Sequence, residues 1–529
     1  MWGRCLIVAL CVLGWSAGAG AQEPTSGRLR VAAGLFAANP SAVAVSAAPD
    51  PDVPAAGDVA SSPEATSTGD SATPLEPDAP QASPPLNAER RACDGCPRRS
   101  VGKAFAHTTI INGFYGIANL VRGQETAKIT PKTWWANMEQ GWVWDLDDFT
   151  VNQFGHPYQG NNYFNAARSN GMSFWESTAI TAFGSGTWEY YGETNHASLN
   201  DLVNTTLGGI ALGEMFHRAG WLVRDTRKTG KSRLWSEIGA MVLDPITGAN
   251  RFITGDSSRV TDKPSEFVPS HLAGFGSMGA MWRGTQAAEF EGTPDPFLEM
   301  DLLYGDVESG RSRTPYDAFA FRIRLGGGAG VSEVKVRGRL IGEPVGDGGL
   351  QFAVLQDYAY ESNDAFHTGA QSFDASLSKT FGNTSAKTRM LLLGWGGLTV
   401  LGAVDSLPVD LEAPPEEQGN AVQGVSEGPR YYDYGPGSLF GVTAMVTRDR
   451  RPLLTAFYEG RHLFSLDGVR ANHFLQRFRL DFVAPIRGPL GIGFTGEFFD
   501  RHTYYQDANR TRKSYHYPQI STYLAWRLS

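Results

Sequence analysis

The sequence predicts a mainly β protein with an α-helical unit: an outer-membrane-type antiparallel β-barrel of roughly twelve strands, preceded by a helical plug or brace. Three observations carry that expectation. From residue 266 to residue 529 the chain repeats an alternation of apolar and charged residues at period two, segment after segment. The segments run about 10 to 14 residues, which suits a tilted crossing of a bilayer. Aromatic residues gather near segment ends, as at Tyr431, Tyr432, Tyr434, Tyr504 and Tyr505, where an interfacial girdle would lie.

The N-terminus comes first. Arg4 precedes an apolar run from Leu6 to Trp15, and Ala19-Gly20-Ala21 supplies the small residues of a cleavage site. Residues 1–21 therefore read as a signal peptide, and Cys11, inside the apolar run, does not suit a lipoprotein anchor. Residues 22–100 are rich in Pro, Ala, Ser and Asp, as in PDPDVPAAGD and PLEPDAPQASPP. Such a segment cannot bury enough apolar surface to offset its ordering entropy and reads as a disordered linker. Near its end Cys93 and Cys96 form a C-x-x-C pair. Two thiols cannot complete a zinc site, and no βαβ setting for a redox motif is visible, so a local disulfide is expected.

The helical unit is expected over 101–265. Ala104–Val121 is one candidate helix. Met172–Tyr191 is another, with Trp175, Ala179, Ile180 and Phe183 on one face. Leu199, Leu202, Val203, Thr206, Leu207 and Ile210 share a face of a third, capped by Ser198. Gly208, Gly209 and Gly213 predict close helix–helix approach.

The barrel is expected over 266–529. In Tyr316–Leu325, Phe319, Phe321 and Ile323 alternate with Ala320, Arg322 and Arg324; Val334 and Val336 alternate with Glu333, Lys335 and Arg337. Further on, Phe478 and Leu480 oppose Arg477 and Arg479, Phe494 and Phe498 oppose Thr495 and Glu497, and Leu524 and Trp526 oppose Tyr523 and Arg527. A soluble sandwich shares this period. The strand length, the girdle and a last segment that runs to the end of the chain favour a barrel with its apolar face to lipid and its charges to the lumen. The acidic stretch Leu407–Gly435 reads as an extracellular loop, and Gly326–Gly330 as a turn. Ser529 departs from the aromatic last residue common in such barrels.

Composition narrows the function. The net charge is −9, so nothing points to nucleic acid, and charged residues are only 19% of the chain. After the leader no stretch supplies about 20 consecutive apolar residues, which disfavours a helical membrane span. The signatures G-x-S-x-G, H-E-x-x-H and G-x-x-x-x-G-K-[ST] do not occur, and Gly184-Ser185-Gly186 reads as a packing kink. Polar residues concentrate from Asn152 to Glu214. There His156, Glu189 and Asp201 are candidates for a base, an acid and an orienting carboxylate, or for a metal-holding set. The plainer reading is a structural network with Arg168, Glu193, Asn204 and Glu214, in which Glu189 pairs with Arg168 and Asp201 offsets a helix dipole. No metal and no cofactor are expected.

The run NQFGHPYQGNNYFNAARSNG, then WEYYGE, SLNDLVNTTLGGIALGE and EIGAMVLDPITGANR, resembles the bacterial family called domain of unknown function 3943. The resemblance supplies no activity; it implies an exported protein of a Gram-negative-type bacterium. Ser198, Asp201 and Gly208 also resemble VanZ-like membrane helices, with Asn204 one position early, which bears on helix packing only. The expectation is a non-enzymatic protein of the cell outer membrane with a structural, envelope-integrity or small-solute passage role. Its partners would be outer-membrane lipid and a small solute or lipid ligand. The alternatives are a lipid- or lipopolysaccharide-modifying enzyme using His156 with Glu189 or Asp201, and a soluble periplasmic binding or scaffold protein.

Overall fold

The structure is a computed structural model. It describes residue 93 and residues 95–284, 294–306, 311–327, 329–363, 367–382, 387–405, 432–448, 451–506 and 512–528. The expected leader, the linker up to residue 92, Tyr431 and Ser529 lie outside the described residues. Cys93 and Cys96 are disulfide-bonded. The end of the expected linker is tied down, because the Ser100 N–H donates to Asn170 O at 2.9 Å.

The helical unit contains α1 (Val101–Val121), α2 (Pro131–Gln140), α3 (His156–Arg168), α4 (Phe174–Tyr191), α5 (Leu199–Val203), α6 (Gly209–Val223), α7 (Gly230–Leu243) and α8 (Pro245–Thr254). Local chemistry sets their starts. Ser173 and Glu176 form a reciprocal capping box on α4, and Ser198 Oγ accepts the Asp201 N–H at 3.3 Å. π turns over Val151–Gly155 and Asn204–Gly208 lead into α3 and α6, so 199–223 is one continuous rod. The three glycines expected at close contacts are there. A Cβ on Gly209 would lie 2.5 Å from Gly160 C, on Gly208 2.7 Å from Pro157 Cβ, and on Gly213 2.7 Å from Phe164 Cβ.

One expected helix face, that of α4, is mostly turned outward, although Ile180 stays buried. On α4 the apolar positions Trp175 and Phe183 are exposed, whereas Ser177, Thr181, Ser185 and Glu189 are buried. On the 199–223 rod, Val203, Leu207 and Ile210 of the expected face pack into the apolar core as predicted, Leu199 is exposed, and the polar Asn200, Asp201, Asn204 and Thr205 are buried as well. On the rod the buried polar side chains find partners in α3 and the barrel wall, as Thr205 with His156 and Asn204 with Tyr434; on α4 Thr181 Oγ1 donates back to Ser177 O at 2.8 Å and Glu189 accepts the Ser198 N–H.

The barrel strands are β1 (Leu272–Arg283), β2 (Asp295–Tyr304), β3 (Phe319–Gly326), β4 (Ala329–Val345), β5 (Leu350–Ser362), β6 (His367–Phe381), β7 (Thr388–Asp405), β8 (Tyr432–Arg448), β9 (Arg451–Phe464), β10 (Ala471–Arg487), β11 (Leu490–Tyr505) and β12 (Lys513–Arg527). Each pairs antiparallel with its sequence neighbours, and β12 returns to β1 with Phe275 opposite Arg527. The sheet closes, so it has no free edge and is not a sandwich. Strand lengths spread more widely than expected, from 8 residues in β3 to 18 in β7. The expected loop 407–435 ends earlier, because Tyr432 and Tyr434 already pair with Asp405 and Ala403.

Alternation sends charges inward. Arg477 on β10 reaches Glu333 on β4 at 3.4 Å and Glu361 on β5 at 3.0 Å, strands that are not its neighbours. Arg322 pairs with Asp301 at 2.8 Å, Arg324 with Glu299 and Glu333, and Arg479 with Asp481 at 2.9 Å. Arg337 lies over Trp395 at 4.3 Å. The residues between them face out: Phe478 is 49% exposed and Phe494 47%.

Phe321 also faces out, yet it is buried. The helical unit covers it, with Phe216 of α6 packed against its ring at 6.3 Å. The same outer face carries Tyr358, whose hydroxyl donates to Gln153 O at 2.8 Å, and Gln356, whose Nε2 donates to Leu207 O at 2.9 Å. Phe149 stacks on Tyr360 at 5.8 Å, and Phe174 on Tyr316 at 5.6 Å. Among the described residues the helices brace the outer wall and do not plug the lumen. That follows from parity, since Tyr358 and Tyr360 alternate with the lumen residues Asp357 and Glu361.

Candidate functional site

Where the brace meets the wall, the chain buries a cluster of carboxylates, amides and phenols. A parallel bridge between Val143 and Ser198 sets the loop after α2 beside the start of α5. Asp145 Oδ1 thereby accepts from Asn200 Nδ2 at 2.9 Å and from Asn152 Nδ2 at 2.8 Å. The barrel supplies Tyr432 and Tyr434. Asn152 Nδ2 donates to the Tyr432 hydroxyl at 2.6 Å, and Gln153 Nε2 to the Tyr434 hydroxyl at 3.0 Å. Asn200 and Asn204 also point Nδ2 at Tyr434, each at 3.4 Å. These two tyrosines, expected in a girdle, are instead buried ligands of the cluster.

His156 opens α3 and faces Asp201, with Nε2 3.6 Å from Oδ1; its Nδ1 is 3.3 Å from Thr205 Oγ1. Glu189 Oε2 accepts the Ser198 N–H at 2.9 Å. The structure therefore gathers His156, Glu189, Glu193, Asp201 and Asn204 in one region. Burial raises the Asp147 carboxyl to about 7, helped by Asp145 and Asp148. Burial, with Asp147 and Asp145 beside it, raises Glu193 to about 8. The loops at this seam thus hold protons near neutral pH.

Arg168 and Glu214 belong to a second network. Arg168 Nε lies 2.8 Å from Glu214 Oε2, Arg168 Nη2 2.8 Å from Glu266 Oε1, and Arg218 Nε 2.8 Å from Glu214 Oε1. The expected pair between Arg168 and Glu189 does not form. Arg168 ends α3 next to the start of α4, and Glu189 lies four turns further along α4, roughly 20 Å away. Sequence reasoning also missed Asp145, Asp147 and the buried pair His217–Asp244, whose Nδ1 and Oδ2 are 2.9 Å apart. The acid run Asp145-Leu-Asp147-Asp148, directly before the polar motif, was a visible signal for the first two.

Among the described residues no three His, Cys, Asp or Glu side chains are arranged to hold a metal ion. What the arrangement offers chemically is proton holding: Glu189, Asp201 and the His156 imidazole buried, Asp145, Asp147 and Glu193 half-buried, among neutral amides and phenols.

The model of the family described as Domain of unknown function (DUF3943) matches residues 141–246, the stretch that builds most of both networks. No curated protein matches the chain. Among solved structures the chain is similar to the outer membrane protein Omp33 of Acinetobacter baumannii, at 8% identity and a TM-score of 0.21, over 49% of this chain and 99% of that one. It is similar to the NanC porin at 8% identity and a TM-score of 0.23, over 48% of this chain and 98% of that one. It is also similar to BamA from Haemophilus ducreyi lacking POTRA domains 1–3, at 10% identity and a TM-score of 0.20, over 44% of this chain and 42% of that one.

Proposed function

We propose that this protein is a non-enzymatic component of the bacterial outer membrane with a structural role: the barrel anchors the chain in the bilayer and carries the helical unit on its wall. The observation that carries this reading is the lumen. Its arginines and carboxylates pair across the bore, and Lys335, Arg337, Asp357, Glu459, Arg477 and Arg479 line a cavity of about 140 Å³ among them. Breaking such pairs would leave charges buried without partners, so the lattice resists opening. The outward apolar band supports placement in hydrocarbon, and the inward charges tolerate it because they never meet lipid.

Planar-bilayer recording tests the reading. The purified protein inserted into a bilayer should show no steady conductance. Replacing Arg477 and Arg479 together by Ala should produce a leak, because the stranded carboxylates draw in water. Open-channel steps from the unmodified protein would overturn the closed-lumen reading and support solute passage.

A second reading, a lipid- or lipopolysaccharide-modifying enzyme, draws on His156 beside Asp201. His156→Ala separates the two. A variant that assembles normally and leaves envelope lipids unchanged from wild type supports the structural role. Loss of a lipid modification in a normally folded variant supports the enzyme.

A further inference from the structure

We infer that the helical unit is seated in the bilayer beside the barrel, with the joint outer face of α1 and α4 in contact with lipid acyl chains. This rests on the reading of the barrel as a membrane barrel and extends it to the helices.

The first support is where the brace sits. Its contacts run from Tyr304 and Phe319, which end β2 and begin β3 where the two barrel termini lie, to Tyr432 and Tyr434, which begin β8 at the opposite end. The unit therefore accompanies the wall along the height of the barrel. On β7, Leu398 is 69% exposed, and Leu401, just past a bulge, is buried under the helices. Covered and lipid-facing positions are neighbours on one strand.

The second support is the character of the uncovered helix surface. Between Lys103 and Arg122, α1 carries no Lys, Arg, Asp or Glu. Ile110, Phe114, Ile117 and Val121 are exposed along it at helical spacing, and Trp175 and Phe183 continue the surface on α4. Phe105 packs edge-on against Phe183 at 4.8 Å, so the two helices present one face. An apolar patch this long, left to water, invites association.

The third is size and edging. With 21 residues α1 is about 32 Å long, close to the ~30 Å of a hydrocarbon core. One end of the face carries the Arg99–Glu176 pair at 2.5 Å. The other carries the ring pairs Trp134–Tyr191 and Trp142–Tyr190 at 5.7 and 5.1 Å, with Arg122 and Lys128 nearby. Charge at one end, and aromatics with charge at the other, are how bilayer-crossing faces are edged. The interior is compatible with this, because it takes in the polar Thr108, Asn161, Asn165, Ser177 and Asn204 beside apolar groups such as Phe164 and Ile210, while Ile110, Phe114 and Trp175 look out. No helix of the described residues is long and apolar enough to cross a membrane by itself. The apolar surface belongs to the assembled bundle on its wall, which is compatible with export of the separate helices as moderately polar segments.

Depth-dependent quenching tests this on the full chain, with Cys5→Ser and Cys11→Ser so that only introduced thiols react. Phe114→Cys, Ile117→Cys, Phe478→Cys and Lys231→Cys are each labelled with an environment-sensitive fluorophore. The labelled proteins are refolded into phosphatidylethanolamine–phosphatidylglycerol vesicles containing acyl-chain nitroxide lipid. The labels at 114 and 117 should lose emission as strongly as the label at 478 on the barrel and resist aqueous iodide, while the label at 231 does the reverse. Lipid quenching at 478 with iodide quenching at 114 and 117 would overturn the inference and leave the barrel reading standing. Absence of lipid quenching at 478 would sink the barrel reading itself. Labels at 114 and 117 shielded from both quenchers, with energy transfer between chains, would assign the face to a second copy and also overturn it.

Discussion

Gly160 shows how tightly single residues hold the brace together. A Cβ there would lie 1.8 Å from Thr205 O and 2.9 Å from Gly209 Cα, both backbone atoms that cannot swing away. Gly160→Ala should therefore push α3 off the 199–223 rod and cost about 2–3 kcal/mol as overpacking. Gly186 on α4 has nothing within 4 Å of its Cβ position. Gly186→Ala should stabilise the helix by up to about 1 kcal/mol through propensity alone. Thermal unfolding in detergent, followed by helical circular dichroism, checks both; equal shifts for the two variants would refute the close crossing. At this scale the sequence was informative where chemistry is local. Ser198 as a cap and Gly208, Gly209 and Gly213 as contact points follow from residue type and position. Partner choice was not legible, as Arg168 shows: it pairs with Glu214 and Glu266 instead of Glu189, because the turn between α3 and α4 decides which carboxylate it meets.

At the scale of elements, period did the predicting and environment did the correcting. The alternation in β10 and β11 set inward Arg477, Arg479 and Glu497 against outward Phe478, Phe494 and Phe498, and closure of the sheet places them so. The same alternation in β3 gave the right face for Phe321 but not its surroundings. A strand pattern distinguishes only two sides, and it cannot say whether lipid or a helix lies on one of them. The helices carry the sharper lesson. Their apolar stripes were readable, but the usual inference that a stripe is buried assumes water outside. Trp175 and Phe183 look outward, and Ser177 and Glu189 look inward. That reversal is costly in water and favourable in hydrocarbon, where interior hydrogen bonds are the alternative to unsatisfied polar groups.

At the scale of the whole molecule, two bodies of different construction meet at a seam rich in acids, and the seam makes their union depend on pH. Asp147, at about 7, and Glu193, at about 8, hold protons in the assembled protein that an unfolded chain releases near pH 4. Between those values the assembled state binds more protons than the unfolded one. Raising the pH therefore favours unfolding, and the contribution of these groups is fully present below about 4 and lost as pH rises through about 8. The groups facing them do not reverse the sign. Asp145, Asp148, Glu189 and Asp201 are further acids, the imidazole of His156 faces Asp201, and His196 lies in the same loop as Glu193. Hydrogen exchange of the detergent-solubilised protein should show residues 141–150 and 192–198 better protected at pH 5 than at pH 9, with the lumen strands β10 and β11 indifferent to the change. Glu193→Gln, which keeps a neutral side chain at every pH, should flatten the dependence. Protection that instead rises from pH 5 to pH 9 would mean that the seam holds its carboxylates charged and that cations, not protons, join the two bodies.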